Sequence, residues 1–243
     1  LSRYITRGVV LRFIQIELMV ALLGGFSALA LFLVFAWLEG PFRFSLYAIV
    51  LLVGVLVGME IPLVMRMLRQ HIPFRDLVAQ VLTFDYLGAL AVSLAFPLLL
   101  APQIGLVRSG LMFGVLNALV AVWAVWLFRN DIVEKTWLKA QCAVVLVALV
   151  AGFAYAEKLT KFAEQQLYAE NIVYASSSPY QRIVLTRWRD DVRLYLNHNL
   201  QFSSRAEYRY HEAMVHPALQ SLPRAQKVLI LGGGDGLAAR EVL

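Results

Sequence analysis

Charged residues and cysteine are scarce in this sequence. Only 16% of the 243 residues are charged, whereas soluble globular domains are about a quarter charged. Apolar residues make up 60% and the mean hydropathy is +0.68. These values exclude an ordinary water-soluble enzyme along the whole length, and they also exclude disorder. The single cysteine, Cys142, excludes an intramolecular disulfide and a cysteine zinc cluster, and we expect no metal site.

Two signals at the start of a chain are also absent. The sequence begins with Leu1 rather than methionine, and it shows no charged segment, apolar core and cleavage site of a secretory signal. Its last residues, 238–243, have the composition of a helix that has just begun. We therefore expect further sequence before Leu1 and after Leu243.

The charged residues, which give a net charge of +6, are distributed at unequal density along the chain. Residues 1–157 hold 11 basic and 8 acidic side chains, and the 86 residues from 158 to 243 hold the same numbers. The basic residues mostly flank apolar runs, which is the usual place for membrane-anchoring charge, so we expect no nucleic-acid partner. The pattern predicts an apolar part and a water-soluble part that join near residue 157.

The apolar part contains five runs that are long enough to cross a lipid bilayer. A membrane-spanning helix takes about 20 residues, and the fifth run, at about 17, lies at the lower end of the range. Residues 1–157 are therefore predicted to form a multi-pass α-helical membrane bundle. The predicted spans are 18–37, 45–67, 81–100, 104–128 and 140–156.

The basic residues of the predicted loops favour one side of the membrane. Nine Lys and Arg residues lie before the first span, between the second and third, and between the fourth and fifth, whereas the alternate loops carry Arg43 and Arg108. Because short loops rich in Lys and Arg stay in the cytoplasm, we expect a plasma (inner) membrane protein with a cytoplasmic N-terminal segment. With five spans, the water-soluble part is then expected outside.

Two acidic residues lie inside predicted spans, where a charge is costly. Glu60 lies in the second span and Asp85 in the third. They predict either a path for cations or polyamines through the bundle or a buried polar contact between helices. Pro62 frees a backbone carbonyl near Glu60. The small residues Gly54 and Gly58 predict a close contact between helices.

Apolar spacing in the second part predicts one helix followed by strands. Apolar residues recur at helical spacing in 158–175, which is expected to be an amphipathic linker helix. Apolar and polar residues alternate in much of 176–204, which is expected to be a small β-sheet or hairpin region. Its strands are expected at 182–188, 192–196 and 200–202.

Turn and capping residues bound these predicted elements. Residues 189–191 have turn composition, and Asn197–His198 predict a second tight turn because Asn tolerates positive φ. Ser204 and Glu207 have the spacing of a capping box, in which each side chain accepts a hydrogen bond from a free backbone amide. They predict a helix that runs to about Leu219.

A glycine-rich turn is the most informative segment. The apolar run 227–231 predicts a buried parallel strand, and Gly232–Gly236 predict a turn into a helix. Residues 205–243 are therefore predicted to be the start of an incomplete Rossmann-like α/β domain. The pattern lacks the third small residue of a dinucleotide fingerprint, since Leu237 stands there, and it favours an S-adenosylmethionine-type nucleoside. Asp235 either binds a ligand cation or caps the helix.

Taken together, four segments resemble the spermidine synthase (polyamine aminopropyltransferase) family in order and spacing. The apolar part is similar to the membrane-anchored branch of that family, in which the segments Gly-x-Glu-Ile-Pro-Leu at 58–63 and Asp-Tyr-Leu-Gly-Ala-Leu at 85–90 also occur. The four segments are Pro179–Gln181, Leu196–Gln201, Arg205–Glu212 and Gly232–Gly236.

The resemblance implies a reaction and a set of partners. An aminopropyl group passes from decarboxylated S-adenosylmethionine, a co-substrate, to a diamine such as putrescine, and the products are spermidine and methylthioadenosine. No cofactor is bound permanently, and a homodimer in a lipid bilayer is implied. Decarboxylated S-adenosylmethionine is a cytosolic metabolite, so this expectation conflicts with the external side that the loop charges predict.

The resemblance also implies roles for single residues. Gln181 contacts the nucleoside, His211 and Asp235 help to bind the amine chains, and Tyr210 and Gln201 line the same cleft. The glycines Gly232, Gly234 and Gly236 shape the turn around the co-substrate. The catalytic base of the family follows later in the sequence, beyond Leu243, so the chain as given is expected to be inactive alone.

Two positions depart from the family pattern, and two other functions stay open. Ala206 stands where the family usually has Asp, which implies either a small loss of helix stability or an altered site. His198 stands where the family usually has Gly, which implies turn strain. The alternatives are a transporter or channel with a nucleoside-binding soluble half, which Glu60 and Asp85 favour, and a methyltransferase, which shares the glycine turn.

Overall fold

The computed structural model describes residues 8–37, 41–69, 73–130, 132, 135–168, 170–178 and 180–243. The chain divides into two compact units, Leu1–Leu167 and Tyr168–Leu243. The division lies ten residues beyond the predicted one at residue 157, because the last helix of the first unit continues to Leu167.

The first unit is entirely helical in its described part. Proline stands at the N-cap of the second and third helices. Its missing N–H costs nothing there, because a residue at the start of a helix has no helical partner for that group. The third helix passes through a π-helical turn, Phe96–Leu100, directly into the fourth. The helices are α1 (Val9–Trp37), α2 (Phe42–Leu68), α3 (Phe74–Ala95), α4 (Ala101–Leu127) and α5 (Lys135–Leu167).

Four helical runs are long and apolar enough to cross a membrane. The five predicted spans fall within helices, apart from Phe128 at the end of the fourth, and the third and fourth share one run of 54 residues, Phe74–Leu127. At 1.5 Å per residue this run measures about 81 Å, which far exceeds a hydrocarbon core of about 30 Å. The run is interrupted by Gly105, whose φ of +79° is not helical.

The expectation that Arg108 lies in a loop is wrong. Arg108 belongs to α4, and its Nη2 lies 3.3 Å from Oε2 of Glu157 in α5. Arg43, the other basic residue expected in these loops, also lies in a helix, α2, and no loop separates the third and fourth predicted spans.

The helices α1, α4 and α5 approach one another closely at glycines. A Cβ atom on Gly114 of α4 would lie 2.7 Å from the backbone oxygen of Ala21 and 3.0 Å from Cα of Gly25, both in α1. A Cβ atom on Gly25 would lie 2.7 Å from Cδ2 of Leu149 in α5. Glycine is required here because its missing side chain lets two helix backbones approach this closely.

The predicted contact at Gly54 and Gly58 is wrong. Among the described residues, nothing outside the backbone of α2 itself lies within 4 Å of a Cβ atom at either position. Both glycines lie on faces of α2 that the first unit leaves open. Two small residues at this spacing are typical of a helix face that packs closely against another helix. In this unit the close packing is made instead by glycines of α1 and α4, Gly25 and Gly114.

Substitution of Gly114 by alanine is expected to destabilise the helical unit by about 1–3 kcal/mol, because the new methyl group overlaps the backbone of α1. The matched substitution Gly54→Ala meets open space, and it should stabilise the helix slightly through the higher helix propensity of alanine. Thermal unfolding of both variants in detergent measures the difference. Equal Tm changes would contradict the close contact.

The second unit contains an antiparallel sheet with the strand order β1-β2-β3-β4. The first strand occupies residues that were predicted to belong to the linker helix 158–175, and that prediction is wrong beyond Leu167. Residues 172–174 are rich in β-branched and aromatic side chains, which favour a strand once a neighbour is available to pair with it. The strands are β1 (Asn171–Ser177), β2 (Arg182–Trp188), β3 (Asp191–Leu196) and β4 (Asn199–Ser203).

Two-residue turns join the last three strands. Arg189–Asp190 connect β2 to β3, and Asn197–His198 connect β3 to β4. The turn residues Asn197 and His198 have φ values of +49° and +69°, as the type I′ hairpin requires. His198 is strained at such a φ, and the ring of Tyr168 stacks on its imidazole at 5.7 Å.

Two helices, α6 (Glu207–Gln220) and α7 (Leu237–Val242), complete the second unit. The capping-box prediction at Ser204 is wrong, because the Ser204 hydroxyl binds Asp191 and accepts the Val192 amide, and Ala206 is the residue at the N-cap. The predicted strand 227–231 is also not formed, and Leu229 and Leu231 are exposed. A parallel strand needs a neighbour to pair with, and the described part of this sequence supplies none.

Candidate functional site

Asp191 holds the third strand to the segment that leads into α6. Its Oδ1 accepts hydrogen bonds from the hydroxyls of Ser203 (2.7 Å) and Ser204 (3.1 Å), and its Oδ2 accepts one from Nε of Arg193 (2.8 Å). The side chain is buried, and these donors, the Ser203 hydroxyl foremost, lower the pKa of Asp191 to about 2. The carboxylate is therefore ionised at neutral pH and fixes where α6 begins.

A second buried acid, Glu170, pairs with the same arginine as Asp191. Glu170 forms an ion pair with Nη1 of Arg193, and Oγ1 of the buried Thr186 donates a hydrogen bond to Glu170 at 3.4 Å. An unpaired charge in such a position is strongly destabilising. Arg193 prevents this by forming ion pairs with both Glu170 and Asp191. These residues support the sheet and lie apart from the glycine turn in the sequence.

Glu207 joins the two helices that flank the glycine turn. Its Oε1 and Oε2 lie 2.9 Å and 3.1 Å from Nη2 of Arg240 in α7. Its Oε2 also lies 3.1 Å from Nδ1 of His211, one helical turn further along α6. A second link between the helices is the pair formed by Nε2 of His216 and Oε2 of Glu241 at 3.3 Å.

The glycine turn between these helices is open to a ligand. Gly232, Gly233 and Gly236 have φ values of +89°, +65° and +77°, which L side chains rarely adopt. No described atom outside the neighbouring residues lies within 4 Å of a Cβ atom at Gly232, Gly234 or Gly236. A ligand can therefore approach the backbone of this turn closely.

Asp235 lies at the tip of this turn. Its Oδ1 accepts a hydrogen bond from the Leu237 amide at 3.0 Å, so the carboxylate caps the first turn of α7. The side chain is exposed, and within the described part of the chain it forms no ion pair. One carboxylate oxygen therefore serves the helix, and the other is available to a ligand.

The structure brings only part of the predicted site together. His211, buried at 5% exposure, and the glycine turn are connected through Glu207 and Arg240, while Tyr210 is exposed on α6 beside His211. Gln201 is exposed on β4. Gln181 is half-buried, and its backbone is held by the hydroxyl of Ser178. Among the described side chains, no hydrogen bond connects either glutamine to Asp235.

Sequence reasoning missed the two residues that join the helices. The spacing of Glu207 and His211 is the i, i+4 spacing of neighbours on one helix face, so their contact was open to prediction. The pair of Glu207 and Arg240 was not, because 33 residues separate them. Pro179, which belongs to the first of the segments that resemble the spermidine synthase family, lies outside the described residues.

The comparisons with known proteins agree with this resemblance. Residues 207–243, which hold α6, the glycine turn and α7, match the family model of the spermine/spermidine synthase domain. The whole chain is 58% identical to polyamine aminopropyltransferase 2 of Ralstonia nicotianae. It is 46% identical to a polyamine aminopropyltransferase of Leptospira interrogans. The chain belongs to the spermidine synthase family.

The similarity to members of the spermidine synthase family extends over the helical unit. A polyamine aminopropyltransferase of Mycobacterium tuberculosis is 40% identical over 95% of this chain. The chain spans about half the length of the curated relatives it matches. It covers 49% of the Ralstonia protein, 49% of the Leptospira protein and 46% of the Mycobacterium protein. No solved structure is significantly similar to the chain.

In this spermidine synthase family member, substitution of Glu207 by glutamine is expected to loosen α7 and the glycine turn. The neutral side chain loses its charge-assisted contact with Arg240, which is half-exposed, so we expect only a modest loss of stability. Hydrogen–deuterium exchange of residues 232–241 in detergent-solubilised protein should then increase severalfold. In the control Arg209→Ala, whose guanidinium contacts only Tyr208 in the described structure, exchange there should stay unchanged. An unchanged rate in Glu207→Gln would contradict the link.

Proposed function

We propose that the protein to which this chain belongs is a membrane-anchored polyamine aminopropyltransferase. It transfers an aminopropyl group from decarboxylated S-adenosylmethionine to a diamine such as putrescine and releases spermidine and methylthioadenosine. The observation that carries the proposal is the identity with proteins named polyamine aminopropyltransferase across both units, 58% over the whole chain for the Ralstonia relative. This observation favours aminopropyl transfer over the methyltransferase alternative.

The reaction needs little activation beyond orientation and a proton acceptor. The sulfonium makes its neighbouring carbon electrophilic, so an uncharged amine attacks that carbon in line with the sulfur. A C–N bond forms as the C–S bond breaks, methylthioadenosine leaves as a neutral thioether, and the new ammonium releases a proton to a base. We expect that base beyond Leu243, so the residues of this chain bind and orient the substrates.

The residues around the glycine turn have chemistry that suits these substrates. The open backbone face at Gly232, Gly234 and Gly236 fits a flat nucleoside, since no side chain occupies it. The free oxygen of Asp235 suits a substrate ammonium group, because charge-assisted hydrogen bonds are the strong ones. Nδ1 of His211 is taken by Glu207, so its other ring nitrogen, Nε2, remains for an amine. Gln181, Gln201 and Tyr210 are assigned to the same cleft by resemblance alone.

The helical unit suggests where the enzyme resides. Much of the surface of α2, α3 and α4 is apolar and exposed, including Leu51, Leu90 and Trp126. A surface of this kind is stable in lipid and promotes aggregation in water. This surface supports the proposal of a multi-pass protein of the plasma (inner) membrane, and we propose a homodimeric state by resemblance.

The proposed activity is tested by incubating the full-length protein with putrescine and decarboxylated S-adenosylmethionine and measuring methylthioadenosine release. Asp235→Asn keeps an oxygen that can cap α7 but removes the negative charge, so kcat/KM for the diamine should fall by roughly tenfold to a hundredfold. The control Asp190→Asn, an exposed acid paired with Arg205, should keep the wild-type rate. Absence of methylthioadenosine release by the wild-type protein would remove the proposed function.

A further inference from the structure

One nitrogen of the His211 ring lies between two oxygens. Nδ1 is 2.8 Å from the backbone oxygen of Glu207 and 3.1 Å from Oε2 of its side chain. A carbonyl oxygen and a carboxylate oxygen can only accept a hydrogen bond, so Nδ1 must carry the proton that it donates to them. A neutral imidazole holds one ring proton, and the other nitrogen, Nε2, therefore has a lone pair.

The carboxylate of Glu207 is the stronger of these two acceptors. The backbone oxygen also accepts the amide of His211, because this pair is one of the i to i−4 hydrogen bonds of α6. The side chain of Glu207 is only 11% exposed, so water competes little for its carboxylate. A hydrogen bond to an ionised acceptor is roughly twice as strong as one between neutral groups.

Arg240 holds this carboxylate from the other helix. Its Nη2 lies 2.9 Å from Oε1 and 3.1 Å from Oε2 of Glu207. Because a guanidinium can only donate hydrogen bonds, it requires an acceptor at the end of this side chain. An amide in place of the carboxylate would therefore turn its oxygen toward Arg240 and leave its NH2 group, a donor, beside Nδ1 of His211. The charge of Glu207, and not its shape alone, decides which ring nitrogen is protonated.

The orientation of the imidazole depends on the same contact. The side chain of His211 is 6% exposed, and the ring of Tyr210 meets it edge-on with the ring centroids 5.1 Å apart. A half-turn of the imidazole would place a C–H group where Nδ1 now donates. Within the described part of the chain, His211 forms no side-chain hydrogen bond except those to Glu207. Glu207 therefore holds both the ring and its proton.

A lone pair at Nε2 suits one end of a diamine. An alkylamine is an ammonium ion at neutral pH, and an ammonium group can only donate hydrogen bonds. An imidazole with its proton on Nε2 would present a donor to that donor and would repel it. The ring nitrogen that faces a diamine must therefore be the one without a proton, and the contact at Nδ1 ensures this.

We propose that Glu207 is a positioning residue of the transfer reaction, which holds the proton of His211 on Nδ1 so that Nε2 accepts a hydrogen bond from an ammonium group of the diamine. Glu207 itself does not contact the substrate. The contact between His211 and the diamine rests on the proposed function, whereas the protonation of the ring is a property of this chain alone.

Nitrogen NMR of the full-length protein, with isotope-labelled histidine rings and in lipid nanodiscs, tests the ring without any need for activity. The His211→Asn variant identifies the signals of this ring by their loss. At a pH of about 8.5, two units above the ordinary pKa of histidine, Nδ1 should carry the proton and Nε2 should not. Glu207→Gln should increase the fraction of rings with the proton on Nε2 severalfold, whereas the control Asp190→Asn should keep the wild-type spectrum. A proton on Nε2 in the wild-type protein, or no change in Glu207→Gln, would overturn the proposal.

Steady-state kinetics test whether the ring state matters for the diamine. Arg240→Met removes the same link to α7 but leaves the carboxylate beside His211, so it controls for loosening of the glycine turn. Relative to Arg240→Met, Glu207→Gln should raise KM for putrescine by roughly tenfold, as expected for one lost hydrogen bond to a charged group. In a His211→Asn background, Glu207→Gln should have little further effect, because it acts through the ring.

Two kinetic results would contradict the role of Glu207. One is an equal KM for putrescine in Glu207→Gln and Arg240→Met, and the other is full additivity of Glu207→Gln with His211→Asn. Absence of methylthioadenosine release by the wild-type protein would instead remove the proposed function, and with it the role of Glu207 in transfer. The NMR result would still report the state of the His211 ring, so the two failures are distinguishable.

Discussion

The close approach of α1 and α4 at Gly25 and Gly114 is the contact on which the helical unit depends. It brings α5 into the same core through Leu149 and fixes the axis of α1. The same core cluster includes Leu56 and Leu63 of α2. The outer faces of α2 and α3 remain apolar and exposed, as the proposed membrane location requires.

Two paired acids order the parts of the second unit that lead to the glycine turn. Asp191 orders the junction between the sheet and α6, and Glu207 holds α7, and with it the glycine turn, against α6. Both acids are largely buried and fully paired, which is the condition under which a buried charge stabilises a fold. The glycine turn is held in place yet open on one face, as the proposed nucleoside site requires.

Short sequence patterns predicted most of the helices and strands, whereas contacts between residues far apart in the sequence could not be predicted. Hydropathy placed the helices of the first unit, and the alternation in 182–196 together with Asn197–His198 predicted the hairpins. The predictions failed where a residue found a distant partner: the Ser204 hydroxyl binds Asp191 instead of capping α6, and Glu207 reaches Arg240.

The central claim is that lipid covers the first unit and water surrounds the second. In a Cys142→Ser background, the test compares Val50→Cys, on an exposed face of α2, with Ser177→Cys, at the exposed end of β1. Labelling by a charged maleimide is measured in open membrane fragments, where both aqueous sides are accessible. We predict rapid labelling at position 177, and labelling at position 50 only after detergent is added. Equal labelling of both positions in intact lipid would contradict the account.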